Sequence, residues 1–364
     1  MHYIMEEERK PRVAITHGDT NGVGYELIFK TFEDPMMLEL CTPIVYGSPK
    51  VATYHRKAMD LQTQFSIISS VEEAKDNRVN LLTTFDDEIK VEFGQSSEEA
   101  TQAARKALKQ AMVDVQQGKT DVLVMGPDNL PDFLSKEPEV LRLHVADELR
   151  VALVTNQLAL KDVPPAITKE TIVNKGRIMH TCLRRDLRIS NPRIAVLALN
   201  PPTNNETDPW GEEEKKTIIP AIEELELAGI QVFGPYAADT FFGSGYYTKF
   251  DGVLAMYYEQ GIAPLKTLAV DGDISLVTGM PFVCMKPETS VQYEIAGKGQ
   301  ADETPLRHSI FTGIDVYRNR LDYDEPMAHP LPKLYKEKRD DSEKVRFNLP
   351  RQKEPAKDES EKKE

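Results

Sequence analysis

Arg193-Ile194-Ala195-Val196-Leu197-Ala198-Leu199-Asn200 reads as a strand covered on both faces, because no polar side chain interrupts Ile194 to Leu199. The segment Glu212–Ala228 follows, with Ile218, Ile219, Ile222, Leu225 and Leu227 mainly on one helical face. Gly229 is placed to end that helix, and Gln231–Gly234 returns as a short strand. Outward from this strand–helix–strand unit, similar apolar runs recur at Arg12–Thr16, Pro43–Gly47, Asp121–Gly126, Leu149–Thr155 and Gly252–Tyr258. An amphipathic helix is expected over Ser97–Gln117. Covered strands alternating with helices predict an α/β fold with a mostly parallel sheet. No internal repeat stands out.

The chain has 364 residues, enough for two compact domains or one large α/β unit. It contains no apolar run near membrane-spanning length, and Met1–Lys10 is charged with no apolar signal core, so no membrane span or secretory leader is expected. Cys41, Cys182 and Cys284 are scattered and odd in number, which fits a reducing compartment and no metal-ligand spacing. A net charge of −14 argues against non-specific nucleic-acid binding. Together these features predict a cytoplasmic protein. From Tyr335 to Glu364 there are ten Lys/Arg and nine Asp/Glu with few apolar residues, so this tail is expected to be disordered. It reads either as an interaction arm or, preferred here, as a solvated appendage.

Thr16-His17-Gly18-Asp19-Thr20-Asn21-Gly22-Val23-Gly24-Tyr25-Glu26 follows a strand and opens a helix. Glycines there would let backbone N–H groups approach an anion at a helix start, which makes Gly18, Asp19, Gly22 and Gly24 candidate anion-binding positions. The spacing is not that of the dinucleotide fingerprint. The alternative is a tight strand-to-helix turn with no ligand.

This loop, read with several later segments, resembles the PdxA family of 4-hydroxythreonine-4-phosphate dehydrogenases. Those segments include Gly126-Pro127, Leu149–Thr155, Leu199-Asn200-Pro201, Gly234-Pro235, Ala238-Asp239-Thr240, Gln260-Gly261, Pro264-Leu265-Lys266, Gly279–Phe282 and Ile295–Asp302. The resemblance covers roughly residues 11–320. It implies two interleaved α/β/α subdomains with a cleft between them, isocitrate-dehydrogenase-like, over residues 11–334. Residues 1–10 are expected to be a flexible N-terminus, and 335–364 the charged tail. It further implies a homodimer with its active site at the interface, NAD as oxidant, and a divalent metal held by three histidines. In that reaction a secondary alcohol is oxidised and the product then loses carbon dioxide, the metal polarising the alcohol oxygen.

The positions that the resemblance assigns to those histidines hold Gln157, Pro202 and Tyr258. An amide is a weak ligand, a neutral phenol a poor one, and proline has no side-chain donor. Leu130 stands where the family has a lysine, and Pro131–Leu143 has no counterpart to a substrate-contacting G-H-T-E segment. Ser275 and Cys284 replace an asparagine and an arginine that accompany the phosphate-binding Lys266, and cysteine cannot act as a bidentate fork. Glu288-Thr289-Ser290-Val291-Gln292 shares no letter with the family's cofactor segment. No bound metal is expected at the family position, and NAD is in doubt.

Asp239 and Lys266 are the retained catalytic-region residues, with Lys266 also a candidate anion ligand. Asp239 could orient a proton, or simply fix its turn. Gln157, Asp239 and Glu259 could form an oxygen-ligand site for Mg²⁺, although nothing in their spacing requires it. His17 could serve as a compensating ligand or base; a loop histidine facing water is the preferred reading. Three functions stay open: a binding or regulatory protein that has lost the dehydrogenase reaction and forms a homodimer or pairs with an active paralogue; an enzyme for another phosphorylated or acidic metabolite; or the dehydrogenase with a rearranged site.

Overall fold

The computed structural model describes residues 9–85, 89–130, 137, 139–203, 205, 207, 209–269 and 272–328. Among them twelve strands form one mixed sheet. They are β1 (Arg12–Thr16), β2 (Thr42–Gly47), β3 (Phe65–Ile68), β4 (Val79–Thr83), β5 (Val122–Val124), β6 (Leu141–Ala146), β7 (Leu149–Leu153), β8 (Arg193–Leu197), β9 (Gln231–Tyr236), β10 (Gly252–Ala255), β11 (Ile274–Thr278) and β12 (Val283–Pro287). Their order is β3-β4-β2-β1-β5-β12-β11-β6-β7-β10-β8-β9.

The two outer parts of the sheet are parallel, as the apolar runs predict. The middle is not: β12, β11, β6 and β7 pair antiparallel. A two-residue turn joins β6 to β7, with Ala146 opposite Leu149 and Asp147 at φ 51°, a conformation that aspartate tolerates. This seam was not expected from the sequence, and it carries the candidate site below.

Local chemistry explains the helix limits. Ser97 Oγ accepts from Ala100 N (3.1 Å) and caps the helix Glu98–Gln116. Thr168 and Thr171 cap the helix Lys169–Arg185 reciprocally. Gly229 adopts φ 81° after the helix Ile219–Leu227, where its N–H donates to Glu226 O. Central strands such as β1 and β10 are buried along almost their whole length, which is why they read as unbroken apolar runs.

The described residues up to Glu325 group as one compact unit. Two residues of the segment expected to be a flexible N-terminus, Arg9 and Lys10, are described. Arg9 makes a two-pronged pair with Asp121 (2.8 and 2.9 Å), and Lys10 Nζ donates to Leu38 O (3.0 Å). Residues 1–8 and the expected tail, 335–364, lie outside the described residues.

Candidate functional site

A cavity of about 600 Å³ opens beyond the end of β7. Its wall includes Leu130, Arg142, His144, Thr155, Asn156, Gln157, Lys175, Tyr258 and Lys286. Two chain segments are tied together at its floor. Val154 N donates to Ala255 O (2.8 Å), and Thr155 donates through both N (3.1 Å) and Oγ1 (2.8 Å) to Met256 O. This pairing brings Gln157, just past β7, towards Tyr258 at the start of the helix Tyr258–Leu268. Pro202 is exposed and does not line the cavity. Another cavity, of about 610 Å³, lies beside the β6–β7 turn and holds none of the positions singled out from sequence.

The three former histidine positions do not fit a metal. Gln157 is exposed, Tyr258 is half-buried, and Pro202 offers no donor atom. Asp239 is exposed in the first turn of the helix Ala238–Gly243, where it makes no capping bond and accepts only a 3.4 Å contact from Thr240 Oγ1. Glu259 is exposed as well. Neither Asp239 nor Glu259 lines the cavity that Gln157 borders.

The glycine loop is packed instead of open. Asp19 N donates to Pro127 O (2.9 Å), Asn21 N to Asp19 Oδ1 (2.8 Å), Gly22 N to Asp19 O (3.1 Å) and Val23 N to Val291 O (3.2 Å). Asp19 Oδ2 accepts from Tyr293 OH (2.7 Å). These amides are therefore committed within the protein, and not presented to an anion. Gly18 holds φ 70°, and a Cβ there would lie 2.0 Å from Pro127 O; Cβ atoms at Gly22 and Gly24 would strike Val291 and His17. The loop also places Val291, part of the cofactor-aligned segment, in the protein interior.

His17 does not face water, contrary to expectation. It is fully buried and stacks on Tyr25 with centroids 4.9 Å apart. Both ring nitrogens lack a hydrogen-bond partner. Burial, reinforced by His55, lowers its pKa to about 3, so it stays neutral. It is neither a water-facing residue nor a base poised near neutral pH.

The residues missed by sequence reading are those of the antiparallel seam. Arg142, Lys175 and Lys286 make the cavity basic. Lys175 Nζ donates to Val140 O (2.6 Å), and burial lowers its pKa. Beside the cavity, Ser275 Oγ lies 3.2 Å from His144 Nδ1 and donates a short hydrogen bond to Glu288 Oε1. Burial pushes the Glu288 carboxyl up. His144, the Ser275 bond, Arg142 and Lys286 together outweigh that and hold it below its ordinary value. Lys266, the retained family lysine, is half-exposed and sits 3.8 Å from Asp273, outside this cavity. Asp273 is raised by burial and by Glu288, against the pull of Lys266. One signal was available in the sequence: Arg142, His144 and Lys286 are polar residues inside otherwise apolar segments.

A family model described as pyridoxal phosphate biosynthetic protein PdxA matches residues 39–137 and 128–312. The chain is 46% identical over 349 residues to the 4-hydroxythreonine-4-phosphate dehydrogenase of Bacteroides thetaiotaomicron, covering 91% of this chain and 96% of that one. It is 31% identical to the enzyme of the same name from Sulfurihydrogenibium, covering 85% and 99%. Among solved structures, a 4-hydroxythreonine-4-phosphate dehydrogenase from Burkholderia phymatum superposes with a TM-score of 0.69 at 27% identity, covering 84% of this chain and 98% of that one.

Proposed function

The chain belongs to the PdxA family of pyridoxal phosphate biosynthetic proteins, and from that premise we propose that it is a 4-hydroxythreonine-4-phosphate dehydrogenase-like protein whose metal- and NAD-dependent oxidation is lost while an anion-binding cavity is kept. One observation carries this reading: several surviving family letters hold the backbone, while the positions that the resemblance assigns to the metal histidines carry Gln157, Pro202 and Tyr258.

Gln260 takes the Met256 amide (2.7 Å) and gives its own N–H to Ala198 O (2.5 Å), locking β10 to the end of β8. Gly261 leaves no room for a Cβ against Val151, Ala255 and Leu153. Asn200 is held by Glu213 and by the buried Glu214. Thr155 and Gly126 likewise make backbone bonds. In contrast, Gln157, Tyr258 and Leu130 border the cavity where the family has histidine, histidine and lysine. Metal-assisted oxidation and decarboxylation cannot be written through Gln157, Pro202 and Tyr258, since none supplies a strong metal ligand at neutral pH.

What this chain's residues can do is bind. Arg142, Lys175 and Lys286 offer positive charge to a phosphate or carboxylate, and Thr155, Asn156 and Gln157 line the same wall. The cavity is suited to a phosphorylated or acidic metabolite, with or without turnover. Calorimetry with 4-hydroxythreonine-4-phosphate and, separately, NAD tests the reading. It expects uptake of the anion that weakens roughly tenfold in Lys286→Met, about the worth of one charged hydrogen bond, and no uptake of NAD. Saturable NAD binding would contradict it.

The reading extends to assembly. In the family the site is shared between subunits, so a mixed dimer with an active paralogue would hold impaired sites. Light scattering on this chain, alone and mixed with such a paralogue, should show a homodimer or a mixed dimer. Monomers in both samples would remove the regulatory-subunit version.

A further inference from the structure

The antiparallel seam gathers three potential ligands that none of the replaced histidine positions includes. We propose that His144, Asp273 and Glu288 form a new binding site for a divalent cation of the borderline class, Zn²⁺ in the first instance.

Strand register brings them together. Ser275 pairs with His144 across β11 and β6, and with Lys286 across β11 and β12. Asp273 precedes β11 by one residue and Glu288 follows β12 by one, so antiparallel pairing sets both at the same end of adjacent strands. Glu288 N donates to Asp273 O (3.2 Å), fixing that end. One donor atom from each side chain lies within 4.8 Å of the others. Zinc bonds of ~2.0–2.2 Å place neighbouring donors roughly 3.3–3.6 Å apart, so a side-chain adjustment of about 1 Å closes the set.

An independent observation points to a missing partner. Asp273 is only 7% exposed, yet its Oδ2 makes no hydrogen bond. A buried carboxylate oxygen left unsatisfied is costly, and a cation bound there would satisfy it. An imidazole with two carboxylates is a donor set suited to Zn²⁺ or Mn²⁺. Ser275 Oγ touches both His144 Nδ1 and Glu288, so it already orients two of the three ligands.

Competing cations are placed so that they need not block the ion. Lys266, 3.8 Å from Asp273, is half-exposed and free to turn into water. Arg142 stands 4.0 Å from Glu288, at the limit of an ion pair. His144 also borders the basic cavity, so three protein donors would leave a coordination position for water or an anion held there. The site uses none of Gln157, Pro202 and Tyr258, so it stands or falls apart from the lost-activity reading.

The test is calorimetric titration of ZnCl₂ into the full-length, chelator-stripped protein, with thermal melting in parallel. The expected result is one equivalent bound, a melting midpoint raised by zinc, and binding weakened roughly a hundredfold in Asp273→Asn. Asp273→Asn keeps the shape of the side chain and removes a buried charge whose Oδ2 makes no hydrogen bond, so it should fold; Glu288→Gln serves as the second variant and should weaken binding as well. Absence of stoichiometric uptake would overturn the proposal. So would parental affinity in both variants, or loss of binding in Gln157→Ala, which would put the ion at the family position.

Discussion

His17 and His55 both pack against Tyr25 in the core with their charged forms excluded: burial lowers His17 to about 3 and His55 to about 4, from an ordinary 6.5. Because the folded values are depressed, the unfolded chain binds more protons once pH drops below about 6.5, and stability must fall with pH from there. Each histidine contributes a slope of about 1.4 kcal/mol per pH unit between roughly pH 6.5 and its folded value. Urea unfolding at pH 7, 6 and 5 should show this loss, with His17→Phe reducing the slope. A flat profile over that range would show that these rings are hydrated. Gly18 makes a second claim at this scale. Its φ of 70° and the 2.0 Å approach of a Cβ to Pro127 O mean that Gly18→Ala should cost ~2 kcal/mol or more, read as a lowered melting midpoint. A neutral effect would mean that the loop is looser than its hydrogen bonds indicate.

Among the elements, the helix Thr304–Ala328 is anchored by a buried ion pair. Arg320 Nε and Nη2 meet Asp186 at 2.8 and 2.9 Å, and Thr278 Oγ1 adds a 3.1 Å bond to the same carboxylate. Arg320→Met alone strands the Asp186 charge and should cost roughly 3–5 kcal/mol, whereas Arg320→Met with Asp186→Leu should recover much of that loss. Equal destabilisation in the single and double variants, by chemical denaturation, would contradict this account. Ser97→Ala should cost about 1 kcal/mol through the loss of the helix cap.

The elements also show what the sequence could and could not reveal. Strands β1, β2, β5, β7, β8, β9 and β10 lie in the apolar segments read from the sequence. Strands β6, β11 and β12 do not, because His144, Ser275 and Lys286 interrupt the hydrophobic pattern and are accommodated by one another across the pairing. Polar groups brought together from positions over a hundred residues apart leave no local periodicity. The three replaced histidines were visible by resemblance, but the basic cavity beside two of them was not. His17 misled because a polar letter in a glycine loop suggests solvent, while the aromatic neighbours that bury it, Tyr25 and Phe85, come from a helix and a distant segment.

For the whole molecule, the fold is that of the PdxA family, and among the described residues no helix is long and apolar enough to cross a membrane. The central claim is that this scaffold persists without the ancestral reaction. The direct measurement is NADH formation from 4-hydroxythreonine-4-phosphate and NAD, with added Zn²⁺ or Mg²⁺, beside the histidine-bearing family enzyme as control. The account predicts no turnover above background from a chain shown to be folded. Turnover within about a hundredfold of the control, a barrier difference of only ~2.7 kcal/mol, would contradict it and would mean that other residues complete a working metal site.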